Sequence, residues 1–429
     1  MAASVSPVSA LPAYLLPDNA TLDARGRLSI AGVDTLALAE RFGTPLFVYD
    51  EDHIRARCRE AREAFPDGVA YASKAFLCKA IARLAHEEGM YIDVASGGEL
   101  HTARAAGVPA DRLVLHGNNK SEAELRYAMR ERVHRIVIDS FDEIDRVEAL
   151  VGEGLPAPKV LLRITPGVHA ETHEFIATGQ DDSKFGFGVR VGHAAAAIER
   201  ARHSAALELV GLHAHVGSQV FDVSSFEKVI EVLAPTFAPL ALDELCIGGG
   251  LGVPYVEGER SCGLREWGQT IRRACTAAGL DAKITAEPGR SIVAAAAITL
   301  YRVGTVKDIP GVRTYVSVDG GMSDNPRPVL YGSGYETFLP RATTAARPKT
   351  IRLVGKHCES GDLLVRSGLV PADLAVGDII STPVTGAYGY ALGSNYNKVP
   401  RPAVVFVKDG EAREVVRRET WDDLLRLDV

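Results

Sequence analysis

The sequence predicts an α/β protein that combines a (β/α)8 barrel of the TIM type with a second, β-rich domain. Its 429 residues are 46% hydrophobic and 24% charged, the composition of a globular chain with a large core. Eight short apolar segments between residues 68 and 290 alternate with helical patterns, which predicts parallel strands in a barrel. After residue 300 strand-like segments dominate, which predicts a separate β-rich domain of the sandwich or Greek-key barrel kind.

The eight predicted barrel strands each stop at a polar or glycine-containing cluster. They are residues 68–74, 91–96, 113–118, 135–140, 159–165, 209–217, 244–250 and 283–290. Most gaps hold apolar residues three or four apart, which predicts helices at 79–88, 121–130 and 141–151. Ser121 and Glu124 have the spacing of a capping box. A doubly wound open sheet is the alternative, but it usually has fewer strands and a glycine-rich first turn, which this chain lacks.

The segments on either side of the barrel predict the second domain. Strand-like segments occur at 314–321, 350–357, 362–367, 378–384 and 403–418, and Lys408-Asp409-Gly410-Glu411 is typical of a hairpin turn. Near the N-terminus, 27–32 predicts a strand and 34–41 a helix. We therefore expect residues 1–45 to contribute to the β-domain, 46–296 to form the barrel and 297–429 to form the C-terminal β-domain. The long segment 166–208 predicts an active-site flap or an additional helix.

Charge and hydropathy exclude several classes of partner. The net charge of −7, from 48 basic and 55 acidic residues, provides no positive field for nucleic acid. The longest apolar run, around 292–300, is far shorter than the roughly 20 residues that cross a bilayer. The N-terminus lacks the basic region of a signal peptide, and six scattered cysteines without a CxxC motif predict reduced thiols. We expect a cytoplasmic protein that binds neither nucleic acid nor membrane.

Polar residues at the predicted strand ends are the candidates for chemistry, because barrel enzymes build their sites there. Lys74 ends the first strand among small residues, where a lysine is either a solvated rim residue or an amine nucleophile. His213 and His215 share one face of the sixth strand. Such a pair packs in a core, binds a metal ion as in metal-dependent hydrolases, or supplies one imidazole that stacks on a flat ring.

Two glycine-rich loops close the seventh and eighth strands, where barrels often hold phosphate. They are Gly248–Gly252 and Glu287–Arg290. A carboxylate such as Glu287 beside a phosphate needs a cationic or protonated neighbour, and a pyridinium nitrogen meets that need. An amine nucleophile, a stacking imidazole, a phosphate cradle and a carboxylate for a ring N–H together predict pyridoxal 5′-phosphate (PLP) as the cofactor.

Seven motifs in order resemble the barrel-type (fold type III) PLP-dependent decarboxylases, and among these the diaminopimelate decarboxylases. They are YASKAF (71–76), HVGSQ (215–219), GGGLG (248–252), EPGR (287–290), DGGMSDNPRP (319–328), GKHCESGD (355–362) and TGAY (385–388). The resemblance runs from residue 25 to the C-terminus. HCESGD is the specific motif, because ornithine and arginine decarboxylases of this group carry a different sequence there.

The resemblance implies which residues hold the cofactor. Lys74 is similar to the Schiff-base lysine, His215 to the imidazole stacked on the cofactor ring, and Glu287 to the partner of the ring nitrogen. The positions that match contacts to the cofactor phosphate are Ser218, Gly250, Glu287, Pro288, Gly289, Arg290 and Tyr388. Asp93, Asn118, Lys184 and His213 lie near the motifs, and we expect them to be supporting or structural residues.

The resemblance also implies the reaction, which is decarboxylation of meso-2,6-diaminopimelate to L-lysine and CO₂. Cys358 is similar to the cysteine that returns a proton to the substrate carbon, and Glu359 to the acid that holds the distal ammonium. The positions that match substrate contacts are Arg290, Arg327, Tyr331 and Tyr388. In this family HCESGD enters the barrel of a neighbouring subunit, which implies a homodimer with shared sites.

Three alternatives stay open on the sequence. A related PLP decarboxylase would act on ornithine, lysine or arginine, whose distal ends carry no carboxylate for an arginine such as Arg327. A metal-dependent barrel hydrolase would use His213 and His215. An inactive regulatory homologue or a PLP-carrier protein is the third; a single-domain PLP carrier would lack the C-terminal domain and the HCESGD motif, and this chain has both.

Overall fold

A computed structural model describes residues 10–168 and 182–429, and the chain forms two compact units. The barrel unit comprises Arg55–Val253 and Ser261–Ile292. The sheet-rich unit comprises Met1–Ile54, Pro254–Arg260 and Val293–Val429. No helix among the described residues is both long and apolar enough to cross a bilayer.

The barrel unit contains eight parallel strands in chain order. They are Ala70–Ala72, Tyr91–Val94, Leu113–Leu115, Arg135–Ile138, Lys159–Thr165, Glu208–His213, Glu244–Cys246 and Lys283–Thr285. Each strand pairs in parallel with the next. A parallel bridge between Val69 and Ala286 joins the last strand to the first. The eight-strand barrel prediction is therefore confirmed.

A helix follows each barrel strand, as a parallel crossover requires. The helices are Lys79–Glu87, Gly97–Ala105, Glu122–Glu131, Phe141–Gly152, His193–His203, Ser224–Phe237, Leu264–Ala277 and Arg290–Val293, and Glu51–Ala64 precedes the first strand. The capping box forms as predicted: Ser121 Oγ accepts from the Glu124 amide, and Glu124 Oε2 accepts from the Ser121 amide at 2.9 Å. The flap or helix predicted within 166–208 falls partly on residues 169–181, outside the described residues.

Apolar side chains fill the barrel interior. Five of them, from different strands, form one buried cluster: Val114, Val137, Leu161, Val210 and Cys246. Strand packing is tight enough that a Cβ at Gly211 would lie 2.0 Å from the Glu244 carbonyl oxygen. The interior is therefore a packed core, and functional groups are confined to the strand ends.

The sheet-rich unit contains an eight-stranded sheet and a three-stranded one. The larger sheet has the order Leu363–Val370, Lys349–Val354, Arg313–Val318, Ala297–Ile309, Leu46–Asp50, Ala403–Lys408 and Glu411–Val416, with Ile379–Pro383 also paired to Ala297–Ile309. The smaller sheet is Ala20–Leu22, Leu28–Ile30 and Val33–Asp34, followed by the helix Thr35–Phe42. The hairpin turn lies where the sequence predicts it, with Asp409 and Gly410 at φ of 50° and 80°.

One predicted boundary differs from the structure. Leu46–Asp50, which the sequence analysis placed in the barrel, pairs with Ala297–Ile309 and Ala403–Lys408 in the large sheet. All five of its residues are buried. A strand buried on both faces has a continuous apolar pattern, and that pattern does not distinguish a barrel strand from a central sheet strand.

Candidate active site

Lys74 lies directly after the first barrel strand. Ser73–Ala75 forms a single turn of 3-10 helix, which buries Ser73 and Ala75 and leaves the Lys74 side chain exposed. The Tyr71 hydroxyl donates to the Phe76 carbonyl at 2.7 Å and ties the two ends of this turn together. A fixed backbone therefore presents a primary amine at the end of the barrel.

Glu287 follows the eighth strand and is the buried acid of the site, with 8% of its surface exposed. Its Oε1 lies 2.8 Å from His116 Nε2, and its Oε2 lies 2.9 Å from His213 Nε2. Burial raises the pKa of Glu287, but the charges and hydrogen bonds of these two histidines outweigh it and hold the pKa well below its usual range. The barrel end therefore carries a buried carboxylate that stays ionised.

The pKa values of the two histidines are shifted in opposite directions. Burial lowers the pKa of His116, but the nearby carboxylates of Asp93 and Glu287 outweigh that effect and raise the pKa above its usual value. Asp93 Oδ1 lies 3.7 Å from His116 Nε2, and burial raises the pKa of Asp93 to about 6. Burial also lowers the pKa of His213 to about 4. The barrel end therefore shifts the pKa values of its two histidines in opposite directions, upward for His116 and downward for His213.

His215 lies two residues beyond the end of the sixth strand, which stops at His213, and it has a different partner. Its Nδ1 accepts the Gly249 amide at 3.2 Å, and a Cβ at Gly248 would lie 2.8 Å from that nitrogen. Burial, followed by the positive charges of Lys74 and Arg163, lowers the pKa of His215 well below its usual value. A neutral imidazole fixed by a backbone amide is suited to stacking on an aromatic ring.

The cluster also bears on the metal-site alternative. His116, His213 and Glu287 offer ligand atoms within 4.8 Å of one another, which a metal site requires. Their N···O distances of 2.8 and 2.9 Å are those of direct hydrogen bonds. His215, the other histidine of the proposed metal pair, is held by Gly249 instead. The His213 and His215 pair therefore does not act as one chelating unit.

Glycines allow the loops after four strands to pack backbone against backbone. A Cβ at Gly249 would lie 2.2 Å from the backbone carbonyl oxygen of Glu287. One at Gly250, whose φ is 115°, would lie 2.3 Å from the backbone carbonyl oxygen of Gly217. A Cβ at Gly289 would lie 2.9 Å from Ala72. The Pro288 carbonyl accepts the Ala72 amide at 3.1 Å, which joins the eighth loop to the first strand.

Arg290 adds a positive charge beside these loops. It is 7% exposed, and its Nη2 donates to Ser218 Oγ at 2.8 Å. A guanidinium, a hydroxyl and closely packed glycine backbone are the donor set that binds phosphate. The barrel end therefore fits PLP: it offers an amine, an ionised acid for a ring N–H, a neutral imidazole and phosphate donors. The predicted cofactor residues that the structure brings together are Lys74, His215, Ser218, Gly250, Glu287, Pro288, Gly289 and Arg290.

The other predicted site residues belong to the sheet-rich unit. Arg327 is 4% exposed; its guanidinium lies 4.0 Å from the ring centre of Tyr255 and hydrogen-bonds the Tyr335 hydroxyl. Tyr388 has a φ of 58° and lies close enough to Arg327 to influence its pKa. Tyr331 ends the short helix Arg327–Tyr331 and is half-buried. A guanidinium packed in this way has a fixed orientation, as bidentate carboxylate binding requires.

Cys358 and Glu359 lie on an exposed loop with a fixed base. The Cys358 amide donates to Asn397 Oδ1 at 3.0 Å. The Asp362 carboxylate accepts the Met322 amide at 2.7 Å and the His357 amide at 2.8 Å. The loop is therefore held at both sides, while the thiol and carboxylate at its tip stay exposed on this chain.

Several members of these groups carry no recognisable motif in the sequence. His116 was visible only as a histidine at the end of the third predicted strand, and its contact with Glu287 spans 171 residues. Tyr255 and Tyr335, which pack on Arg327, lie outside the motifs. Asp93 and His213, expected to be supporting residues, join the Glu287 cluster.

Comparisons with known proteins agree with this chemistry. Residues 51–294 match the family model described as pyridoxal-dependent decarboxylase, pyridoxal binding domain. A diaminopimelate decarboxylase of Mycobacterium tuberculosis is 48% identical over 434 residues, covering 96% of this chain and 97% of that protein. One from Bacillus subtilis is 47% identical over 423 residues, covering 94% and 95%.

A solved structure shows the same fold over nearly the whole chain. The diaminopimelate decarboxylase of M. jannaschii, in a co-complex with L-lysine, superposes with a TM-score of 0.88 at 31% identity, covering 96% of this chain and 98% of that one. PLP is accordingly the cofactor, and the protein is a carboxy-lyase. The chain belongs to the pyridoxal-dependent decarboxylases, and among them to the diaminopimelate decarboxylase family.

Proposed function

We propose that the protein decarboxylates meso-2,6-diaminopimelate to L-lysine and CO₂. The observation that carries the choice of substrate is the buried guanidinium of Arg327, stacked 4.0 Å from Tyr255. The distal end of diaminopimelate carries a carboxylate beside its ammonium, whereas the distal ends of ornithine, lysine and arginine carry only a cation. A desolvated arginine favours the first and repels the others.

The barrel residues would hold and tune the cofactor. When bound, PLP accepts the electron pair that remains when the bond to the departing carboxylate breaks. Lys74 would anchor the cofactor through its amine and yield that position to the substrate amine. Glu287, held ionised by its histidines, would keep the proton on the ring nitrogen, and the neutral His215 would support the ring face. Arg290 and Ser218 would bind the phosphate.

The residues of the sheet-rich unit would bind the substrate and complete the reaction. Arg327 and Tyr331 would bind the distal carboxylate, and Glu359 the distal ammonium. Cys358 would donate its S–H proton to the carbon that has lost CO₂, and the resulting thiolate would regain a proton from solvent. One C–C bond breaks and one C–H bond forms, so the overall reaction needs no oxidant.

We further propose a homodimer in which Cys358 and Glu359 of one subunit complete the site of the other. Both side chains are exposed on the single chain, although the loop that carries them is fixed by Asp362 and Asn397. The six cysteines are free thiols, which is typical of a reducing compartment, and we propose the cytoplasm as the location.

The proposed reaction is tested by recording the absorbance of the purified protein and measuring product release. We expect a visible cofactor band, and release of lysine and CO₂ from diaminopimelate with a kcat/KM at least about 1,000-fold above that for ornithine, lysine or arginine, because a site built for a distal carboxylate leaves polar groups unpaired with the others. Faster turnover of one of those three amino acids would overturn the substrate assignment and leave the cofactor assignment intact.

Substitution of Arg327 by methionine is expected to raise the KM for diaminopimelate by about 10- to 150-fold, the loss of a charged hydrogen bond of about 1.5–3 kcal/mol. The visible absorbance of the cofactor should stay at its wild-type level. Arg366→Met, which removes an exposed arginine of the same unit, is the matched control and should leave both quantities unchanged. Loss of bound cofactor with an unchanged KM would contradict the role of Arg327.

A further inference from the structure

Glu287 is held at both of its carboxylate oxygens. Oε1 contacts His116, which follows the third barrel strand, and Oε2 contacts His213, which ends the sixth. The two imidazole ring centres are 5.0 Å apart at an interplanar angle of 66°, so they approach the carboxylate from different directions. Two donors from different directions fix the plane of the carboxylate, whereas a single donor would leave it free to rotate.

Among the described residues, only these two histidines hydrogen-bond the Glu287 carboxylate. His213 Nδ1 is buried without a hydrogen-bond partner in the described part of the chain, so His213 is anchored to this cluster by its Nε2 contact to Glu287. The charged and titratable groups that also act on the cluster are Lys74, Asp93, Arg163 and His215. Of these, Asp93 Oδ1 lies 3.7 Å from His116 Nε2, which is outside hydrogen-bond distance.

We propose that His116 and His213 are positioning residues that clamp the Glu287 carboxylate in the orientation in which it accepts the ring N–H of PLP. The inference rests on the proposed role of Glu287. Neither histidine needs to touch the cofactor, since each acts through the carboxylate. Both histidines oppose the effect of burial on the pKa of Glu287, and His116 has the larger effect of the two.

The test compares His116→Leu and His213→Leu in two backgrounds, the wild type and Glu287→Gln. The readouts are the nitrogen-15 chemical shift of ring-labelled PLP bound to each protein and the dissociation constant of PLP from the apoenzyme. In the wild-type background we expect each leucine variant to move the ring nitrogen toward its unprotonated shift and to weaken PLP binding by about 10- to 100-fold, as loss of an orienting partner does in metal sites. In the Glu287→Gln background the same substitutions should add nothing, because the group they orient is gone.

Controls separate this role from a structural one. His101→Gln removes an exposed histidine of the same unit and should change neither readout. His116→Gln keeps an N–H donor and should restore part of the ring-nitrogen shift. If His116→Leu does not fold, His116→Asn, whose amide is too short to reach Glu287, takes its place in the same cycle.

The outcomes distinguish the positioning role of His116 and His213 from the proposed role of Glu287 at the ring nitrogen. An unchanged ring-nitrogen shift in Glu287→Gln itself would refute the proposed role of Glu287. A changed ring-nitrogen shift in Glu287→Gln, with no change in the leucine variants, would refute only the positioning role of the two histidines. Equal losses of PLP affinity in both backgrounds would likewise overturn it, since the histidines would then act independently of the carboxylate.

Discussion

Lys74→Ala is expected to abolish the visible cofactor absorbance and to reduce decarboxylation by at least about 1,000-fold, while the protein stays folded. The side chain is exposed, so its loss leaves no cavity in the core. The backbone turn that presents it is fixed independently, by the contact between Tyr71 and Phe76. The substitution therefore removes the anchoring amine and little else.

The control for this substitution is Lys79→Ala. Lys79 is another exposed lysine, five residues further along at the start of the next helix, and its loss should leave absorbance and turnover unchanged. A small free amine such as methylamine should restore part of the activity of Lys74→Ala, because it supplies the missing amino group without the rest of the lysine side chain. Normal turnover by Lys74→Ala would exclude the amine from the reaction.

The barrel could be predicted from the sequence because each of its strand–helix units is defined by local patterns. The apolar run 135–140 and the helical spacing that follows predict a strand and a helix without reference to the rest of the chain, and both are present. The capping box at Ser121 is equally local. Parallel order then follows from the alternation itself. Leu46–Asp50 was assigned to the wrong unit because its partners, near residues 300 and 405, are distant in sequence.

The candidate site was only partly predictable for the same reason. The motifs identify Glu287 as an acid that needs a protonated neighbour, and the structure places His116, whose pKa the nearby carboxylates raise, 2.8 Å from it. That contact depends on closure of the barrel, which brings the third strand end to the eighth. No local pattern around either residue encodes it. Arg327 was predicted from its motif, but its packing on Tyr255 depends on a segment 72 positions earlier in the chain.

Mixing Lys74→Ala with Cys358→Ala is expected to restore activity that neither variant has alone. In the proposed homodimer, the Lys74→Ala subunit retains an intact Cys358, and the Cys358→Ala subunit retains an intact Lys74. A dimer with one subunit of each kind therefore contains one complete site. Random pairing of equal amounts gives half such dimers, so about a quarter of wild-type activity should appear after the subunits are exchanged.

The converse mixture tests the same geometry without relying on recovery. When the double variant Lys74→Ala/Cys358→Ala is exchanged with an equal amount of wild type, shared sites leave every mixed dimer inactive, and about a quarter of all sites survive. Sites built within one subunit would leave one active site in each mixed dimer, so about half would survive. Because both side chains of the Cys358–Glu359 pair are exposed on the single chain, and their loop is fixed at its base, we expect the lower value. Survival of half the sites, together with no recovery in the first mixture, would show that each subunit supplies its own proton donor.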